Sequence, residues 1–187
     1  MSMSLDGFIA GPEHRVDEVF SWYQNGDIEL ETNMAEFRFH VGEANARYLR
    51  EAWGRIGAIL AGRALFDITG GWGGTHPAGQ PTVVYSREIP DGWENTEMMR
   101  FAPTLAEAAA LAREIAGDKM VGTSGTRTVA GLLNEGLLDG IEVNLVPYLL
   151  GEGHRFFDGL KNTPIALTQP TVVEGEGVTH LRYDLRK

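Results

Sequence analysis

Residues 119–157, KMVGTSGTRTVAGLLNEGLLDGIEVNLVPYLLGEGHRFF, constrain the chain most, because they read as strand, glycine-rich turn, helix and strand in immediate succession. A buried strand over 119–121 is expected to end at Gly122, Thr123, Ser124 and Gly125, ahead of a helix starting near Thr126. The first amides of a helix have no partner within it, so a turn of this kind favours an anion. The glycines follow G-x-x-G, which is neither the G-x-G-x-x-G dinucleotide fingerprint nor a P-loop. By spacing alone, a tight connection accounts for the turn as readily as a phosphate cradle does.

The rest of the chain repeats the alternation. Ala44, Tyr48, Leu49, Ala52, Trp53 and Ile56 recur at three- and four-residue intervals, which predicts an amphipathic helix over 43–54. GAILAG is then a short buried strand ending in Gly62 and Arg63, before a helical turn at ALFD. After the loop GGWGGTHPAGQP, the run PTVVYSRE is a second buried strand ending in Ser86 and Arg87. Thr104 and Glu107 form a capping box ahead of an alanine-rich helix that runs to Ala116 and is closed by Gly117. A strand reaching Val146 follows, then strands at 165–168, 171–174 and 178–185, the last two joined as a hairpin by EGEG. Such alternation predicts an α/β fold with a largely parallel sheet, helices on both faces, and a terminal hairpin that makes the sheet mixed. No linker or repeat divides it, so residues 1–187 are read as a single domain.

The start, MSMSLDGFIAG, reads as the end of a strand and a turn at Asp6 and Gly7, so the strand is short or its start has been trimmed. In EFRFHV, Phe37, Phe39 and Val41 alternate with Glu36, Arg38 and His40, which suits an extended, half-buried piece. The long stretch before the first clear helix is where a substrate-covering loop would sit.

Several functional classes are excluded. A net charge of −10 with no basic run argues against nucleic acid. The absence of cysteine removes disulfides, zinc-thiolate sites and a thiol nucleophile. The five histidines show no metal-ligand spacing, so no metal is expected, and Ser124 lacks a G-x-S-x-G elbow. No apolar run approaches a membrane span and no basic-then-apolar leader opens the chain, which leaves no membrane partner and the cytoplasm as the expected compartment.

In an open parallel sheet, ligands bind beyond the carboxyl ends of the strands. Three such ends converge here: Gly62 with Arg63, Ser86 with Arg87, and the turn Gly122, Thr123, Ser124, Gly125 leading into Thr126. Amides of the turn suit a pyrophosphate, and arginine with serine suits an extra 2′-phosphate, so NADP fits better than NAD.

The motifs SLDGFIAG at 4–11, GR at 62–63, GGWGGTHPAGQPTVVYSR at 70–87 and GLLDGIEVNLVPYLLGEGHRFF at 136–157 carry a resemblance across the whole chain. It resembles the dihydrofolate reductase-like superfamily, most closely the branch related to the reductase domain of bacterial bifunctional riboflavin-biosynthesis deaminase-reductases. The resemblance implies a three-layer fold around a central mixed sheet, NADPH as hydride donor, and a homodimer. It also implies that Ile9 and Ala10 lie near the nicotinamide, and that Arg63, Ser86 and Arg87 lie near the adenosine phosphate. The substrate would be a small heterocycle, pterin- or aminopyrimidinone-like, or a carbonyl compound. The segment around Trp22, Tyr23 and Trp72 would form the opposite wall, and Asp6 is the nearest carboxylate to supply a proton, although Asp before Gly is also a turn former. The pterin-binding carboxylate of the family's first helix has no clear counterpart in residues 43–46. Two other readings stand beside the reductase: a flavin-binding protein whose aromatic loop stacks on the isoalloxazine, and a non-catalytic dimer of the same fold.

Overall fold

The structure is a computed structural model describing residues 1–34 and 37–186, so the expected position of Glu36 in an extended piece lies outside the described residues. In chain order the elements are β1 (Ser2–Ser4), β2 (Phe8–Ala10), α1 (Asp17–Phe20), β3 (Ile28–Leu30), β4 (Phe39–Val41), α2 (Glu43–Arg55), β5 (Ile56–Gly62), α3 (Arg63–Thr69) and β6 (Thr82–Tyr85). There follow β7 (Met99–Ala102), α4 (Leu105–Ala116), β8 (Met120–Thr123), α5 (Thr126–Asn134), β9 (Gly140–Val146), β10 (His154–Arg155), β11 (Thr171–Gly175) and β12 (Val178–Asp184).

The sheet comes as two four-stranded halves. One, in the order β7-β6-β5-β8, is parallel throughout. The other, β1-β9-β12-β11, pairs β1 with β9 in parallel and closes with the antiparallel hairpin expected from EGEG. Among the described residues no ladder joins β8 to β1.

Helices cover both faces, as the alternating side chains of a strand require. On β6, Val83 packs with Leu60 against α4 through Leu105, Ala108, Ala109 and Ala112. The next residue, Val84, faces the other way and packs with Phe66 of α3 and Met99. Small alanines along one stripe let α4 lie close to the sheet, and Thr104 caps the helix by accepting from the Glu107 amide at 3.2 Å.

The structure differs from the sequence expectations at several points. Met120 is 39% exposed, so the strand leading into the glycine turn is not fully buried. Residues 165–168 make only an isolated bridge, Leu167 to Leu185, with prolines at 164 and 170 on either side. Prolines lack the amide a ladder needs, and no strand propagates there. Only Phe39–Val41 of the expected extended piece pairs, as β4 with β3; Val41 is buried, while Phe37, ahead of the strand, is 42% exposed.

Under α2 the sheet face is polar. His180 is 1% exposed, with Nδ1 2.8 Å from Asn144 Oδ1 and Nε2 3.1 Å from Asn45 Oδ1. Asn45 donates its Nδ2 to the Glu176 carbonyl at 3.0 Å, which turns its oxygen toward the ring. Burial lowers the His180 pKa to about 4, so the ring is neutral at pH 7 and carries one proton. That proton goes to Asn45; Nδ1 is then an acceptor, which requires Asn144 to turn its NH2 toward it. Tyr48 stacks on the ring at 3.7 Å.

A depressed histidine pKa has a fixed consequence for acid stability. The unfolded ring binds a proton near pH 6.5 while the folded one resists it, so stability is complete above pH 6.5 and falls as pH drops toward 4. Denaturant unfolding between pH 7 and 4.5 is expected to lose about 1.4 kcal/mol per pH unit for each such histidine through the steep part of this window. In His180→Gln the slope should be shallower; an unchanged slope would place the linkage elsewhere.

Candidate functional site

The parallel half-sheet has a topological switch point. From β5 the chain moves to β6 and then β7 on one side, and next returns to place β8 on the other side of β5. At such a point the connections leaving the carboxyl ends diverge and open a crevice. α3 leaves from β5 on one side of it, and α5 leaves from β8 on the other.

The structure brings together the three predicted strand ends. β5 pairs Leu60 with Thr123 of β8 and Gly62 with Tyr85 of β6, so Gly62, Thr123 and Ser86 share one edge. Thr123 Oγ1 donates to the Leu60 carbonyl at 2.9 Å and fixes the end of β8 against β5. Gly62 faces Thr128 of α5: a Cβ there would sit 2.3 Å from Thr128 Oγ1, so only glycine lets β5 and α5 approach this closely.

Gly125 precedes α5 with φ of 89°, a conformation that favours glycine, and no side chain caps the helix. Open space lies where its Cβ would project. Thr126 Oγ1 donates to the Arg155 carbonyl at 2.7 Å, which ties the helix start to β10. The described chain has its cis peptide at Thr163–Pro164, so the Gly122–Thr123 bond is trans.

On the other side, Arg63 donates from Nη1 to Ser86 Oγ at 3.3 Å and from Nε to Asp67 Oδ1 at 2.7 Å. Ser86 is buried, and its hydroxyl donates to the Glu88 carbonyl at 2.6 Å. Arg87 is exposed and makes no ion pair among the described residues.

Ile9 and Ala10 sit in β2, but Ile9 points into the core with Val129, Leu133 and Phe156. Ala10 pairs with His154 of β10, and Gly153 approaches so closely that a Cβ would lie 2.1 Å from the Ala10 carbonyl oxygen. Beyond Ala10, His154 stacks on His14 at 4.3 Å. His14 and Glu13 both have positive φ, at 61° and 56°, a strain that non-glycine residues seldom carry. His154 and Arg155 carry no signal in the sequence, since a two-residue strand leaves no periodicity, and His14 lies in a single helical turn with none either.

The expected aromatic wall does not form. Trp22 is 1% exposed, packs with Val19, Leu49 and Val146, and donates from Nε1 to Ser2 Oγ at 3.0 Å. Tyr23 stacks between Trp22 and Phe39, and burial pushes its hydroxyl pKa up. Trp22 is a core residue, because a flat ring with one polar atom buries most of its area when that atom finds a partner, and Tyr23 is half-buried against the same cluster. Trp72 stands apart from them, edge-on to His76 at 4.6 Å in a loop of left-handed residues, with its own φ at 50°. His76 accepts from the Ala78 amide at 3.1 Å, and burial lowers its pKa to about 4.

Asp6 is committed to structure. Its carboxylate accepts from Ser4 Oγ at 2.6 Å and from the amides of Leu150 and Gly151 at 3.1 and 2.7 Å. The Ser4 bond first, and the amides after it, hold its pKa at about 2, so at pH 7 it is an ionised acceptor with no proton to give. Asp6→Asn is expected to lower the melting temperature while leaving ligand affinity at the β5–β8 edge unchanged. A loss of affinity at unchanged stability would restore a role in binding.

No group of three metal-ligating side chains is present among the described residues, and no helix there is long and apolar enough to cross a membrane. No protein-family model and no curated protein sequence matches the chain significantly. Solved structures do. A provisionally assigned riboflavin biosynthesis protein from Shewanella sp. PV-4 aligns over 100% of this chain and 97% of its own, with TM-score 0.69 and 21% identity. A diaminohydroxyphosphoribosylaminopyrimidine deaminase/5-amino-6-(5-phosphoribosylamino)uracil reductase from Thermotoga maritima aligns over 98% of this chain and 54% of its own, with TM-score 0.60 and 11% identity. The present chain thus spans about half of that bifunctional protein. Dihydrofolate reductase from Enterococcus faecalis, solved with NADP(H), aligns over 76% of this chain and 82% of its own, with TM-score 0.51 and 16% identity. The fold is therefore the dihydrofolate reductase-like fold, as the motifs implied.

Proposed function

We propose that this chain is an NADPH-dependent reductase of a small heterocyclic or carbonyl substrate, with the coenzyme lying across the carboxyl-terminal edge of β5, β6 and β8. The observation that carries the reading is the switch point itself. A helix start without a side-chain cap, behind a left-handed glycine, follows β8 on one side of β5, and a guanidinium bonded to a buried serine joins the ends of β5 and β6 on the other. Amides suit a pyrophosphate and guanidinium groups suit a phosphomonoester, so the residues present fit a phosphorylated dinucleotide. Two of the structures sharing the fold are named as reductases, and one of them was solved with NADP(H).

When bound, the dihydronicotinamide supplies hydride; the chain supplies position. The turn 122–125 and the first turn of α5 would hold the pyrophosphate, Ser86, Arg63 and Arg87 the adenosine phosphate, and the backbone of Ile9 and Ala10 would border the nicotinamide. With Asp6 ionised, the proton comes from solvent in this reading. A flavin has less support, because Trp22 is buried in the core and the half-buried Tyr23 already stacks between Trp22 and Phe39. The homodimer implied by the resemblance belongs to the same proposal, and sedimentation equilibrium at twice the chain mass would bear it out.

A ligand present at 100 times its dissociation constant stabilises the folded state by about 2.7 kcal/mol. For a chain of this length that is a rise in melting temperature of roughly 5–10 °C. NADPH at millimolar concentration is expected to produce such a rise, NADH a smaller one and FMN none. A flat response to NADPH would leave the fold without this function.

A further inference from the structure

We infer that Asp67 is a specificity-determining residue of the coenzyme site, acting as a competitor for the phosphate that Arg63 would bind. This rests on the coenzyme reading above and adds to it. The Arg63 guanidinium lies at the start of α3, bonded to Ser86 on one side and, through Nε, to Asp67 four residues along the same helix. At 2.7 Å the carboxylate occupies one of the donors that a 2′-phosphate would use. Both side chains are substantially solvent-exposed, at 40% and 52%, so the pair can open at little cost.

Two consequences follow from the charges. A dianionic 2′-phosphate arriving at Arg63 must displace Asp67 and then stand near its negative charge, which opposes binding. An unphosphorylated ribose meets the opposite situation, since its 2′-hydroxyl can donate to the same carboxylate, as acidic residues do for the ribose of NAD in other dinucleotide sites. Asp67 therefore narrows the gap between the two coenzymes. Arg87, with no ion pair to break among the described residues, carries the larger share of whatever preference for NADPH remains.

The test uses equilibrium binding and requires no substrate. Dissociation constants for NADPH, NADH, 2′,5′-ADP and 5′-ADP are measured by calorimetry on the full chain and on Asp67→Asn, Arg63→Ala and the double variant. Asp67→Asn is expected to tighten NADPH and 2′,5′-ADP roughly three- to tenfold. It should leave 5′-ADP within about twofold, and the gain should vanish when Arg63 is already alanine. Unchanged or weakened 2′,5′-ADP binding in Asp67→Asn, or a gain that persists without Arg63, would overturn the inference while leaving the coenzyme site standing. Failure of both the wild-type chain and the variant to bind any of the four probes at millimolar concentration would instead overturn the coenzyme reading, and this inference with it. Melting temperatures of the variants, expected to match the wild type, confirm that the comparison is between folded proteins.

Discussion

Replacing both Arg63 and Arg87 by alanine is expected to weaken NADPH binding roughly 30- to 100-fold while changing NADH by no more than about threefold. The reasoning is additive in outline. A charge-assisted hydrogen bond to a phosphate is worth about 1.5–3 kcal/mol, and exposure to solvent takes the value toward the lower end. Arg63 must first leave Asp67, so Arg63→Ala alone should cost less than Arg87→Ala alone. Only NADPH carries the extra phosphate, which is why NADH is the control. Raising salt from 50 to 500 mM should erode the preference for NADPH in the wild-type chain and hardly affect the double variant, because exposed charges are screened over about 10 Å or less. Equal losses for the two coenzymes would place the 2′-phosphate elsewhere and break the assignment of this edge.

Trp22→Ala is expected to destabilise the chain by about 3–5 kcal/mol, a drop in melting temperature of roughly 10 °C. Trp22 is almost wholly buried among Val19, Leu49 and Val146, touches the ring of His180 edge-on at 5.2 Å, and satisfies Ser2 through its indole nitrogen. Truncation removes a large apolar area, leaves a cavity and strips a buried hydroxyl of its donor. The alternative role, a substrate wall, predicts the reverse pattern: a stable variant with impaired turnover. Trp72→Ala provides the comparison, because that ring is only half-buried and should cost far less.

These two tryptophans show where sequence reasoning stopped. Periodicity located α2 and short apolar runs located β5, β6 and β9, because such patterns reflect a face the chain must bury, while a capping box marked α4 and a glycine turn marked α5. The convergence of Gly62, Ser86 and the turn that includes Thr123 was also legible, since a sheet of alternating elements dictates which ends share an edge. Whether an aromatic side chain goes to the core or to a cleft depends on neighbours far away in sequence, and for Trp22 those include Val146 and Val178. β7 follows a stretch of turns with no alternation to announce it, and β10 exists only because Gly153 can touch Ala10. Asp67 was within view as the fourth residue after an arginine on a helix, a spacing that pairs opposite charges. Its meaning emerged only when the guanidinium proved to be shared with Ser86.

The missing ladder between β8 and β1 has a consequence for how the molecule breathes. Amides on the outer flank of β8 have no strand beside them among the described residues, whereas those of β5 are zipped on both sides. Isotope exchange should therefore reach Met120–Thr123 well before β5, by local opening rather than global unfolding. A dinucleotide at the carboxyl ends of β5, β6 and β8 would meet that flank only at its Thr123 end, so the first amides to be silenced on its arrival should be Thr123 and the turn beyond it, with Met120 the last.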